Sequence, residues 1–504
     1  MTRTLATGPR RAKTERRFPR VDAAGLGATL ASAPHALCLG AVAAIYGALT
    51  LLVLRRDFLE YNADGYSRII RGHEWLDAPR WEVGVWLPLH TWLYGAGFAL
   101  YHDLSVTPRV INALLTAATL VFLYVIGSTI GGRVAGLVGA SIGAMFPWVV
   151  WMGVSGMSEP LFHATLAGGG AAFTRWLYQP SDRLLMLAAL GIALATMTRY
   201  EGWFYAAVFV PLALAVAWRR SELTARTLAI VSVAALFPLI WMQQHWQHYD
   251  DPFAFAGETA AIKASLEPEN ATAGLLRRLT VYPEEAARLA PWLALLCALA
   301  VVYALYRRVR WWPLIALAGG QAILLVAVSA GYSNLGPGAE RYLLSNVILL
   351  FPVLAACAML VPLKVVRIAA VVVILVATTR MLPTLLDPPT VYPDGDVREL
   401  ARVVEPILDA AAAGDRSVPA LFPDPSTEGY NASYALRILS GHPDAWLVIV
   451  DPAIFSRWVA DTHPPVWVLD AGVDVTPPPG ETRRVGRFLI GGPGALAGPG
   501  IPAP

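Results

Sequence analysis

The chain has 504 residues, 56% hydrophobic and only 15% charged, with a mean hydropathy of +0.51, which excludes an ordinary soluble protein of this length. A formal net charge of +3 is too small to point to nucleic acid as a partner. Cys38, Cys297 and Cys357 all lie inside apolar runs, so neither a disulfide framework nor a metal knuckle is encoded.

Residues 1–34 form a basic, hydrophilic arm with no apolar stretch before about residue 35, which predicts a retained anchor in place of a cleaved signal peptide. The first span is His35–Leu54, and the Arg/Lys cluster before it should hold the N-terminus in the cytoplasm. An outer loop, 55–108, follows. Within it Pro88–Tyr101 is apolar but only about fourteen residues long, too short to cross comfortably, and is assigned to a juxtamembrane helix.

Further spans are expected at 109–130, 134–151, 160–178, 184–199, 203–218, 226–245, 290–306, 311–330, 342–361 and 365–386, eleven in all. This arrangement puts Arg133, Arg183, Arg219, Arg220, Arg226, Arg307, Arg308, Arg310, Lys364 and Arg367 on the cytoplasmic side, as the positive-inside rule asks. If Pro88–Tyr101 crossed, nearly all of them would move outside. The region 35–386 is therefore an all-α polytopic membrane domain, and 387–490 lies outside the cell membrane. There helical patterns (397–412, 428–440, 452–461) alternate with strand patterns (419–423, 445–450, 466–470), which predicts a small extracytoplasmic α/β domain on a mostly parallel sheet. The tail, 491–504, contains mainly Gly, Pro and Ala and reads as disordered. No internal repeat of the transporter kind is present.

With tight cytoplasmic loops and no Walker-type or dinucleotide motif, any chemistry belongs to the outer face, where nucleotide sugars are absent. A group donor there has to be carried on a lipid. Asp64, in YNADGY, sits about ten residues beyond the first span. Transfer of a sugar from a polyprenyl phosphate needs one general base and no strong general acid, because the phosphate leaves as a stable anion. The plainer reading makes Asp64 one of several solvated loop acids, with Asp57, Glu60, Glu74 and Asp77. Glu159, in GMSEPLF, is either a catalytic or metal-binding acid or a helix cap. Arg199 and Glu201, in TRYEGW, are either functional charges at membrane depth or a hairpin salt bridge. Glu340 and Arg341, in GAERYLLSN, stand before a late span; Arg341 is either a phosphate clamp or an interfacial anchor. His245 and His248 have spacing that suits a metal with Asp250 or Asp251, or simply belong to the interface.

Taken in order, the first-loop acid, Pro88-Leu89 with Trp92, the SEP turn, RYEG, the His/Trp stretch ending in DDPF, and ERYLL resemble the GT-C superfamily. Its members are polyprenyl-phosphate-sugar-dependent membrane glycosyltransferases, including protein O-mannosyltransferases, aminoarabinose transferases and oligosaccharyltransferase catalytic subunits. The resemblance covers about residues 35–386 and implies inverting, single-displacement transfer of a hexosyl or pentosyl unit at the extracytoplasmic face of the inner membrane. It makes Asp64 the catalytic base and Glu159 the second-loop acid, which orients acceptor or metal. Asn62, Arg199, Glu201, Glu340 and Arg341 would contact substrate. The implied partners are a polyprenyl-phosphate-linked sugar, the bilayer, and an acceptor that is a glycan, lipid or protein. Because Asp64 is flanked by Asn62, Ala63 and Gly65 where other members carry paired acids, a divalent metal is left open. Two rival readings are a transporter or flippase of a lipid-linked substrate and a non-catalytic membrane scaffold.

Overall fold

The computed structural model describes residues 34–492 except 82–83, 267–273, 332–338, 388–391, 394, 414–419, 422–426, 448, 450, 463, 465, 471–476 and 479–480. Nearly all of the basic arm and the Gly/Pro tail thus lie outside the described residues. The first helix, α1 (His35–Leu54), is apolar on every side, and its buried residues Cys38, Val42 and Tyr46 recur every fourth position. That spacing puts them on one stripe, which packs on α4 (Val106–Met145). Twenty residues of helix rise about 30 Å, one hydrocarbon thickness.

Between these helices the first loop is itself helical, as α2 (Ala63–Asp77) and α3 (Pro88–Leu100), which pack on each other. Helix α4 is forty residues long but leaves helical geometry at Gly132 (φ 82°, ψ 175°), so it is two helices in series. The second stops early. Phe146 is extended because Pro147 follows it, and the chain restarts as α5 (Pro147–Gly153). The continuous span expected over 134–151 is therefore broken.

The bundle continues with α6 (Glu159–Tyr178), α7 (Asp182–Thr196), α8 (Glu201–Arg219), α9 (Ala225–Tyr249), α10 (Ala254–Leu266), α11 (Leu275–Leu289), α12 (Pro291–Tyr306), α13 (Trp312–Gly331), a 3-10 turn (Ala339–Leu343), α14 (Leu344–Met359) and α15 (Lys364–Thr379). The stretch between the spans expected at 226–245 and 290–306 holds α10 and α11. Apart from the break at Phe146, each expected span lies largely on one helix, with 109–130 and most of 134–151 sharing α4. Among the described residues seven helices are long and apolar enough to cross a membrane, or eight if α11 and α12, bent by 112°, count as one. Helix α7 is short of that length. Helix α6 packs between α4 and α7 with almost every residue buried, so its small residues Gly168, Gly169, Gly170, Ala171 and Ala172 face protein and need no lipid-compatible surface.

The C-terminal region follows the expected order: α16 (Gly395–Ala413), β1 (Ala420–Leu421), α17 (Thr427–Leu439), β2 (Trp446–Leu447), α18 (Pro452–Thr462) and β3 (Trp467–Asp470). It then adds an unforeseen hairpin, β4 (Thr482–Val485) and β5 (Phe488–Gly491), turned at Gly486-Arg487. Strands β1 and β2 pair in parallel, but β3, β5 and β4 form an antiparallel sheet in that order. The mostly parallel sheet is thereby corrected, since a two-residue turn can only join antiparallel neighbours. This region is seated on the first loop. Tyr66, Ile69 and Ile70 of α2 share one core with Val397, Leu400 and Leu436, each such side chain contributing about 1.5–3 kcal/mol when fully buried.

Candidate active site

Asn62 caps α2, its side-chain oxygen accepting the Asp64 N–H at 2.9 Å, which holds Asp64 in the first turn, where a carboxylate is favoured. The Asn62 oxygen expected to meet substrate is committed to this cap. Glu159 opens α6 after Ser158, with Pro160 in the first turn, and Glu201 opens α8. Arg341 lies in the 3-10 turn that leads into α14. Three helix N-termini thus deliver their first acidic residue, and one turn its arginine, to one place.

The geometry is a chain of ion pairs. Asp64 Oδ2 lies 3.1 Å from Arg341 Nη2, and Arg341 Nη1 lies 3.6 Å from Glu159 Oε1. Arg199 Nη1 donates to the same Glu159 oxygen at 2.7 Å and to Ser158 Oγ at 3.3 Å. Its Nε and Nη2 grip Glu201 Oε1 at 3.0 and 2.7 Å. Arg199, Glu201, Glu159 and Arg341 are buried, whereas the Asp64 side chain is 37% exposed. Asp64 is therefore the member of the chain that an incoming molecule can reach. The Glu340 side chain lies outside the described residues.

Several residues at this site were not singled out from the sequence. Glu60, grouped there with solvated loop acids, is buried; its Oε2 accepts the Gly156 N–H at 2.5 Å and its Oε1 the Tyr61 N–H at 2.9 Å. Burial pushes its carboxyl up to about 7, against the two N–H donors, which pull it down. A β-carbon at residue 65 would overlap that carboxylate, so Gly65 is the residue the close approach requires. Asn112 Nδ2 donates to the Ser155 and Met157 carbonyls at 2.6 and 2.8 Å, so the backbone leading into the SEP turn is held by Asn112 as well as Glu60.

Arg68 stands one turn beyond Asp64 on α2, its guanidinium 4.4 Å over the Trp86 ring. Among the described residues no carboxylate lies within ion-pair distance of it, and its Nε is sealed from solvent without a hydrogen-bond partner. Burial pulls it down to about 10, against the nearby charge of Asp64. The Asp-x-x-x-Arg spacing was a signal in the sequence for this neighbour. His90 and His163 are buried within reach of the Glu159 charge.

His245 packs among Trp241, Tyr249 and Phe255, and His248 bonds the Gln244 carbonyl at 2.8 Å. Among the described residues they form no metal grouping with Asp250 or Asp251, so their surroundings are those of the second alternative, an aromatic interface. Nor do Asp64 and Glu159 fit a divalent ion as arranged, because the Arg341 guanidinium stands between them. Glu159, expected to orient acceptor or metal, faces two guanidiniums.

No family model and no curated protein matches the chain by sequence. Solved structures do match by fold. ArnT from Cupriavidus metallidurans in the apo state superposes with a TM-score of 0.57 at 13% identity, over 89% of this chain and 97% of that one. The apo oligosaccharyltransferase of Archaeoglobus fulgidus gives 0.52 at 12%, over 87% of this chain and 69% of that one. The same enzyme tethered to an acceptor peptide with the NVT sequon gives 0.53, at the same identity and coverage. This chain has the GT-C fold. It is a multi-pass membrane protein of that architecture, and the buried ion-pair chain lies where α2, α6, α8 and the turn before α14 of the GT-C bundle converge. An identity of 12–13% is a likeness of fold, so residue roles rest on the site's own geometry.

Proposed function

We propose that this GT-C chain is a membrane glycosyltransferase that moves a hexosyl or pentosyl unit from a polyprenyl phosphate to an acceptor hydroxyl at the extracytoplasmic face, with inversion. The observation that carries this reading is the direct pairing of the half-exposed Asp64 with the buried Arg341, itself linked through Glu159 to Arg199. The acceptor oxygen attacks the anomeric carbon as the bond to the phosphate oxygen breaks, and that electron pair leaves with the phosphate. Asp64 takes the acceptor proton. The leaving phosphate gains a negative charge, and Arg341 moves its hydrogen bond from Asp64 to that oxygen. This stabilises the anion and frees the carboxylate to act as base in one movement. Arg68, with no carboxylate of its own, is a second phosphate contact. Glu159 and Glu201 hold the guanidiniums in place, and the bilayer confines the donor beside the loop.

A scaffold would leave these groups scattered, at more than about 20 Å, wider than a ligand pocket; contacts of 3.1 and 3.6 Å support the enzyme instead. The test is mass spectrometry of envelope glycoconjugates from a deletion strain complemented with wild type, Asp64→Asn or Arg68→Met at equal membrane abundance. Loss of one sugar in the deletion, restored by wild type and lowered by about 10²–10⁴-fold in Asp64→Asn, is the expected outcome for a general base. Full restoration by Asp64→Asn sinks the assignment.

A further inference from the structure

We propose that His73, Asp77 and Asp444 form a site for a first-row divalent cation of the zinc type, which clasps the C-terminal region onto the helix that presents Asp64. One ligand atom from each residue lies within 4.8 Å of the others, the separation that a single ion can span. His73 and Asp77 are four residues apart on α2 and so share one face of it. Asp444 arrives from the turn between α17 and β2, with its Oδ1 2.9 Å from His73 Nε2. No residue of the Asp64–Arg341 cluster takes part.

The surroundings of His73 are those of a metal ligand. The residue is buried, and its other ring nitrogen, Nδ1, lies 3.0 Å from His102 Nε2, with the two rings stacked at 5.0 Å between centroids. When Nδ1–H donates to His102, the Nε2 lone pair is left pointing at Asp77 and Asp444, the tautomer that an outer partner fixes in metal sites. Without an ion, Nε2–H donates to Asp444 instead, so binding needs only the other tautomer of the His73 ring, with its proton on Nδ1. The two carboxylates are exposed and leave a coordination position for water. One nitrogen and two carboxylate oxygens plus water make the four-coordinate set zinc accepts. The turn that carries Asp444 is already docked on α2, since Arg437 bonds both the Pro443 carbonyl at 2.6 Å and Glu74 Oε1 at 3.1 Å. The three ligands are thus brought together by the fold before any ion arrives.

The experiment uses untagged full-length protein in detergent, stripped with EDTA and titrated with ZnCl2 and with CoCl2. Expected are one equivalent bound, a visible Co(II) absorption band, and slower proteolysis of the C-terminal region with metal present. Asp77→Asn with Asp444→Asn alters only exposed side chains, and it should lower affinity at least tenfold while gel filtration and circular dichroism stay as in wild type. His102→Gln should weaken binding about 10–100-fold through the tautomer alone. Equal stoichiometry and affinity in wild type and the double variant, or no binding to wild type below millimolar metal, overturns the proposal.

Discussion

Replacing Arg199 by Met tests the ion-pair chain on which the site depends. Met keeps much of the apolar stem but removes the donor of the 2.7 Å bonds to Glu159 and to Glu201. All three side chains are nearly inaccessible, at 8%, 1% and 8% exposure, so solvent cannot screen the loss. Removing one partner of a buried pair costs about 3–5 kcal/mol, because the other charge stays behind. Arg341, already 3.6 Å from Glu159, offsets part of this, so the single variant should fall near the lower figure, ~3 kcal/mol. Adding Glu159→Gln and Glu201→Gln takes the stranded charges away, and the triple variant should return to within about 1–2 kcal/mol of wild type. The assay is equilibrium unfolding by SDS in mixed micelles. The buried thiols of Cys38, Cys297 and Cys357 report unfolding through their reaction with a maleimide dye. A single variant that costs less than about 1 kcal/mol, the worth of a surface pair, refutes the buried network. A triple variant no better than the single refutes the charge-stranding argument.

Two further outcomes follow from the Glu60 contact. Its carboxyl is raised from 4.5 to about 7 in the fold, so the native state holds more protons than the unfolded chain between those values. Stability from this group is full below about pH 4.5 and is lost as pH rises to about 7, with a ceiling of about 3 kcal/mol at 1.36 kcal/mol per unit. Unfolding measured from pH 4.5 to 8 should show that slope in wild type and lose it in Glu60→Gln; an unchanged slope in the variant assigns it elsewhere. Gly65→Ala should expel the Glu60 carboxylate and destabilise by about 1–3 kcal/mol, as overpacking does. The same substitution made in Glu60→Ala should be nearly neutral, and an equal cost in both backgrounds would mean that Glu60 is not the obstacle.

Local sequence determined the class of the protein: apolar runs of membrane length, Arg-bearing short loops, and the helix and strand order of the C-terminal region up to Trp467–Asp470. These features are legible because span length, helix starts and strand alternation are properties of neighbouring residues. The same reasoning singled out Glu159, Arg199, Glu201 and Arg341, since charges at the ends of apolar spans stand out, whereas Asp64 stood apart from its neighbouring loop acids through the family resemblance. Their meeting was decided by tertiary structure, because Asp64 and Arg341 are 277 positions apart and share no local pattern. Burial is likewise a property of the partner. Glu60 and Glu74 read alike in the same loop, yet Glu60 is sealed by the backbone of Gly156, 96 positions away, while Glu74 stays exposed beside Arg437. The seating of the C-terminal region on α2 escaped the sequence for the same reason. An amphipathic helix announces that it has an apolar face, and only the folded chain supplies the surface that covers it.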